Sequence, residues 1–189
     1  ELNETLEKLR DKISRRRNLE EDKNELLRRA QRDDWHLRQT MLQNLIDGSE
    51  MLLSATVLRE VYHMNIKDGL FQCFCLKIDA DGGNLTEETA DVLLRKAQEL
   101  LERILHGKCF EMVLLIRGFF CIGMLHYSED RQEVMRRALK DCLSQLEIQR
   151  NLFCPARFSI SVGTAYKEPE RLRESMREAK LLIQERLFR

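Results

Sequence analysis

Two apolar runs, residues 110–116 and 119–127, are separated only by Arg117-Gly118. A break that short leaves one solution. Glycine accepts the left-handed backbone of a tight turn, so the two runs fold back on each other as a β-hairpin. The rest of the chain has to supply a layer for this hairpin to pack on.

Upstream, residues 71–79 mix aromatic, aliphatic and cysteine side chains on both faces, as a buried central strand does, and Asp81-Gly82-Gly83 ends the run. A helix follows. Thr86 is placed to cap it, Glu87 and Glu88 suit its positive end, and Ala90, Leu93, Leu94, Ala97, Leu100, Leu101, Ile104 and Leu105 keep helical spacing up to Gly107. After the hairpin, Ser128 is expected to cap a helix that turns Val134, Met135, Ala138, Cys142 and Leu146 inward. Beyond Cys154-Pro155, Phe158, Ile160 and Val162 alternate with Ser159, Ser161 and Gly163, the pattern of a half-buried strand. Pro169 then stands in the first turn of a last helix carrying Leu172, Met176, Ala179, Ile183 and Leu187. The order strand, helix, strand, strand, helix, strand, helix predicts an α+β domain over 67–189. Its expected form is a ferredoxin-like antiparallel sheet with helices on one face.

The first third of the chain reads differently. Leu2, Leu6, Leu9 and Ile13 form one coiled-coil seam, which predicts a dimerisation or linker helix over 1–32. Arg16, Glu20 and Lys23 then occupy core positions before Leu27 and Ala30 resume the seam, marking either a stutter or a loosened stretch. A solvated spacer helix is the competing reading. Arg15-Arg16-Arg17 is answered by Glu20, Glu21 and Asp22, a charge ladder and not a nucleic-acid patch. A helical connector is expected over 33–66. Its first part carries Trp35, Leu37, Met41, Leu42, Leu45 and Ile46 toward the domain, Asp47-Gly48-Ser49 stops it, and residues 50–62 form a further helix with Leu52, Leu53, Val57, Leu58 and Val61 inward. Residues 65–69 make a loop.

Lys+Arg and Asp+Glu balance at 32 each, so no overall field draws in nucleic acid or an anionic membrane. The longest apolar runs fall far short of the roughly 18 residues a membrane span requires. The six cysteines lie mostly inside apolar strand and helix patterns, as reduced core cysteines do, and a cytoplasmic setting is expected. The sequence opens at Glu1 in mid-heptad pattern, as a piece of a longer protein would.

Several segments taken together resemble the GGDEF, or diguanylate cyclase, superfamily. Residues 76–81, Leu-Lys-Ile-Asp-Ala-Asp, look like the end of its first strand, where active cyclases carry a metal-binding Asp-Ile-Asp segment. Residues 159–165, Ser-Ile-Ser-Val-Gly-Thr-Ala, look like its penultimate strand. Residues 172–180, Leu-Arg-Glu-Ser-Met-Arg-Glu-Ala-Lys, are similar to a degenerate subgroup, the middle domains of two-component response regulators that end in an AraC-type DNA-binding domain. That resemblance implies a receiver before this chain and a helix-turn-helix pair after it, while the heptad seam implies a homodimer joined through the leading helix.

An active cyclase needs glycine backbone near the nucleotide and acidic hairpin residues to hold Mg²⁺ on the triphosphate. Here the corresponding stretch is Ile116-Arg117-Gly118-Phe119-Phe120-Cys121, with no carboxylate. Asp79 and Asp81 supply at most one side of a metal site, and with Gly82-Gly83 behind them they read as a turn cluster. Cys73 and Cys75 share a strand face but have no Cys-x-x-Cys or His-x-x-x-His companion, and core cysteine is the reading taken. His36, His63, His106 and His126 sit in separate elements without a nucleophile, and no Walker or dinucleotide glycine pattern occurs. No catalytic residue, cofactor or metal is therefore assigned. The expected function is a non-catalytic relay, dimerising through Leu2, Leu6, Leu9, Ile13 and Leu27 and touching neither nucleic acid nor membrane. A ligand sensor built on the vestigial pocket of Asp79, Asp81, Arg117 and Gly118 is the alternative, and an active cyclase the least favoured.

Overall fold

The computed structural model describes the backbone of residues 2–80, 85–153 and 156–185, with side chains described at 20, 23–80, 85–148 and 156–185. The chain forms two compact units, Glu1–Leu37 and Arg38–Arg189. One helix, α1 (Leu2–Asp47), runs through the first unit and into the second, and its backbone is unbroken where the seam is interrupted. The connector expected from residue 33 thus begins inside the same helix as the stalk. Of the expected seam, Leu2, Leu6, Leu9 and Ile13 lie outside the described side chains, while Leu27 is 50% exposed.

The second unit contains α2 (Ala55–Glu60), β1 (Leu70–Ala80), α3 (Glu87–Leu105), β2 (Glu111–Arg117), β3 (Phe120–Tyr127), α4 (Gln132–Phe153), β4 (Ala156–Val162) and α5 (Leu172–Glu185). The strands form one sheet in the order β2-β3-β1-β4, and every neighbouring pair is antiparallel. This is the expected α+β, ferredoxin-like arrangement, with β1 and β3 inside and β2 and β4 at the edges.

Alternation along β1 divides the core in two. Phe74, Leu76 and Ile78 join Leu114, Cys121, Leu125 and Phe158 beneath α3 and α4. Phe71, Cys73 and Cys75 join Val113, Ile122 and Met124 on the opposite face. The expectation of helices on one face is corrected here. α3 and α4 cover the first face, but the second is covered by α5 (Leu172, Met176, Ala179, Ile183), by Leu58 of α2 and by Met41, Leu42, Leu45 and Ile46 at the end of α1. Strands apolar on both sides would otherwise leave half their side chains in water.

The same cause corrects β4. Ser161, expected to face solvent, is buried beneath α5, where its hydroxyl donates to the Ala179 carbonyl at 2.6 Å. Gly163 is required by this packing, since a Cβ there would stand 2.0 Å from the Ser175 carbonyl oxygen. Where β4 ends, the Cys73 N–H donates to Ser175 Oγ at 2.9 Å and so keeps a partner.

Other boundaries shift for local reasons. The helix expected over 50–62 is only Ala55–Glu60, capped by Ser54, whose Oγ accepts from Val57 N–H. Residues 49–51 are held instead by Arg173, which donates to the Ser49 and Met51 carbonyls at 3.1 and 2.6 Å. Leu52 and Val61 are therefore exposed, while Leu53 and Leu58 are buried as expected. Trp35 and Leu37 are exposed too, because the buried stripe of α1 starts only at Met41. Thr86 caps α3 as read, but Ser128 makes no cap bond to the backbone, and Val134 of α4 is exposed.

α1 ends in a Schellman motif: Gly48, at φ +73°, donates to the Leu45 carbonyl, and Ser49 N–H donates to that of Asn44. Further back, Arg38 fastens the helix to the sheet. Its guanidinium donates to Glu111 Oε2 at 3.0 Å, to the Tyr62 carbonyl at 3.1 Å and to the His63 carbonyl, while Glu111 Oε1 accepts from Asn65 N–H at 2.5 Å. Glu111 is 9% exposed and would be left as an uncompensated buried charge. Arg38→Ala is expected to destabilise the domain by about 3 kcal/mol, measured by urea unfolding, and Glu111→Ala made in that background should recover part of the loss, because it removes the unpaired buried charge.

Candidate functional site

The hairpin tip and the end of β1 are where the sequence placed a vestigial pocket. β2 and β3 are joined by a two-residue turn, Gly118-Phe119, one position later than expected, with Arg117 paired opposite Phe120. Gly118 alone has positive φ in this turn, at +56°, which fits a type II′ hairpin with glycine at the first central position. Arg117 is thereby the last residue of a strand and not part of the turn, and its side chain is directed by the pleat.

Arg117 Nη1 donates to Asp47 Oδ1 at the end of α1, and Asp47 Oδ2 accepts from Gln43 Nε2 at 2.8 Å. The Gln43 amide first, and then the Arg117 guanidinium, hold the Asp47 carboxyl below its ordinary range. Asp79 pairs with the Lys77 ammonium two residues earlier on the same strand face. Asp81 lies outside the described residues.

Asp79 and Arg117 are not brought together. Asp79 lines a cleft of about 410 Å³ with Lys77, Ile78, Leu85, Phe119 and Phe120. Arg117 and Gly118 line a second cleft of about 560 Å³, floored by Ile46, Cys75, Ile122 and Ile183, with Lys180 at its rim. Phe119 and Phe120 belong to both. In each cleft the carboxylate is already answered by a cation of the chain itself, and the hairpin offers a guanidinium where Mg²⁺-triphosphate chemistry calls for acid. Among the described residues no group of three or more His, Cys, Asp or Glu side chains could hold a metal ion.

The remaining candidate groups are held as core. Burial pushes the thiols of Cys75, Cys121 and Cys142 up to about 12, and raises that of Cys73 further, so none is a thiolate near neutrality. Among the described residues, Cys73 and Cys75 pack on α5 with no third ligand beside them. Among the histidines, His126 is fully buried. Lys67 N–H donates to its Nε2 at 3.1 Å, which puts the proton on Nδ1, donating to the Leu70 carbonyl at 3.1 Å. The ring stacks on Phe71 with centroids 4.1 Å apart.

The run 172–180 that carried the resemblance turns out to be a clamp, a role its composition did not reveal. Arg173 holds residues 49–51, Ser175 holds Cys73 N–H, Glu178 accepts from Thr164 N–H and Tyr166 Oη, and Lys180 donates to the Ile46 carbonyl at 2.9 Å. The Arg38–Glu111 pair was missed as well, although a lone acid opening an apolar strand was a readable sign.

This ferredoxin-like sheet, with a glycine-bearing hairpin beside the end of the central strand, has the architecture of a GGDEF-type domain. Compared with protein-family models, residues 16–184 match the GGDEF-like domain, and the chain belongs to that family. No curated protein matches it.

Burial lowers the His126 pKa below its ordinary 6.5, the bond to the Leu70 carbonyl opposing this only in part. In acid the unfolded chain therefore takes the proton first. The stability contributed by neutral His126 is complete above pH 6.5 and is lost as pH falls from there through the folded value. Urea midpoints measured on both sides of that pH should show the drop, and His126→Gln should flatten it.

Proposed function

We propose that this chain is a non-catalytic regulatory and dimerisation module of a bacterial-type transcriptional response regulator. In this reading it relays the state of a receiver domain to an AraC-type DNA-binding domain, both outside the chain, in the cytoplasm. The observation that carries the reading is the tie between Arg117 at the hairpin tip and Asp47 at the end of α1. Where a cyclase holds metal and triphosphate, this domain holds its own incoming helix. A change of register in the α1 seam would reach the sheet through the last turns of that helix, which Arg38, Lys180 and the Met41, Leu42, Leu45 and Ile46 stripe fix to it. The exposure of Leu26 (65%) and Leu27 (50%) supports a second copy along α1. Among the described residues no helix is long and apolar enough to cross a membrane.

The cleft lined by Arg117, Lys180 and an apolar floor favours a second reading, a sensor that binds a nucleotide or metabolite without turning it over. Thermal shift separates the two, since the relay expects no stabilisation by millimolar nucleotide and the sensor requires it.

Sedimentation at micromolar concentration is expected to give a dimer, and Leu6→Glu with Leu9→Glu a monomer with unchanged domain stability. A wild-type chain that sediments as a monomer overturns the relay. With GTP and Mg²⁺ no cyclic dinucleotide should form.

A further inference from the structure

The two edges of the sheet are finished differently. At the β2 edge, Gln39 Nε2 of α1 donates to the Leu114 carbonyl at 3.1 Å, and Glu111 accepts from Asn65 N–H. Among the described residues the β4 edge has no such cover. The Gly163 N–H donates to the Cys73 carbonyl at 2.9 Å, which fixes the alternation along the antiparallel register. Arg157, Ser159, Ser161 and Gly163 turn their peptide groups toward β1, while Phe158, Ile160 and Val162 turn theirs away. Among the described residues nothing pairs with those three outward peptide groups.

Beside this open edge lies a groove of about 620 Å³, with Leu139 and Leu143 of α4 facing Ile160 and Val162 of β4. Arg136 and Lys140, one helical turn apart on α4, complete its wall. Both are exposed, and neither forms an ion pair among the described residues, whereas the adjacent Arg137 is met by Glu133. Glu185 is the one acidic residue of the lining. An unpaired strand edge, an apolar trough and a cationic helix wall are together the parts that strand addition uses: main-chain bonds for affinity, the trough for alternate side chains and the charges for choice of partner.

We propose that the β4 edge and the α4 wall form a docking site for an extended acidic segment of a partner protein. The segment adds as a fifth strand beside β4, seats alternate apolar side chains against Leu139, Leu143, Ile160 and Val162, and sets carboxylates against Arg136 and Lys140. Charge decides against a second copy. Two-fold pairing of β4 with itself would bring the two α4 helices side by side, each offering unpaired cations to the other. The inference does not depend on the relay reading, because the groove is remote in sequence from the α1 seam and involves neither Arg117 nor Asp47.

The full chain would be titrated with a fluorescein-labelled hexapeptide of alternating Glu and Val, with its Lys-Val counterpart and with a Glu-Val peptide N-methylated along one edge. Saturable binding of the Glu-Val peptide is expected, with protection of the Phe158, Ile160 and Val162 amides in hydrogen exchange. Arg136→Glu with Lys140→Glu should weaken it about tenfold while leaving the unfolding midpoint unchanged, and N-methylation should abolish it. The proposal is overturned if no peptide binds, if the Lys-Val peptide binds as well, or if the N-methylated peptide keeps its affinity. Protection of the same amides by raising the concentration of the chain alone, without any peptide, would assign the edge to a second copy and equally overturn it.

Discussion

The constraint on which this structure rests is that its inner strands are apolar on both faces. β1 sends Phe74, Leu76 and Ile78 one way and Phe71, Cys73 and Cys75 the other, and β3 does the same with Cys121 and Leu125 against Ile122 and Met124. A sheet of this kind needs two covering layers. The βαββαβ core supplies only one, from α3 and α4. The second is recruited from outside the core, from α5 and from the last turns of α1, so a helix that could have been a mere linker becomes part of the hydrophobic interior.

That recruitment decides what becomes of the hairpin tip. Once the end of α1 lies over the second face, Asp47 comes within reach of Arg117, and Lys180 closes the exposed carbonyl end at Ile46. The α5 run that marks the resemblance is the other half of the same arrangement, with its apolar residues in the core and its polar ones on backbone groups of three different segments. In this family member Arg117 and Lys180 thus both hold the end of α1 beside the hairpin.

Much of this was legible in the sequence, for identifiable reasons. Patterns that depend on near neighbours could be read directly: the hairpin, the Thr86 cap, the helical spacing of α3 and the two-sided β1. The turn was displaced by one residue because a strand can continue through an arginine, and glycine belongs at the first central position of the turn. The serine face of β4 was misread because hydroxyls pass for solvent-facing groups until Ser161 finds the Ala179 carbonyl and Ser175 finds Cys73 N–H. The candidate pocket fared differently. Arg117 was read into the turn and is the last residue of β2, Asp81 lies outside the described residues, and the partner of Arg117 lies 70 positions away, where no local pattern announces such a pair. Lys77 was the readable sign at the other cleft, a cation on the same strand face as Asp79.

Native-state hydrogen exchange of the full chain tests most directly whether the end of α1 belongs to the core. If it does, the amides of residues 41–47 exchange only through the same global unfolding that exposes the amides of β1, with the same denaturant dependence. Exchange of those helix amides at a much lower free energy than β1, while the sheet stays protected, would show a detachable linker and contradict the account.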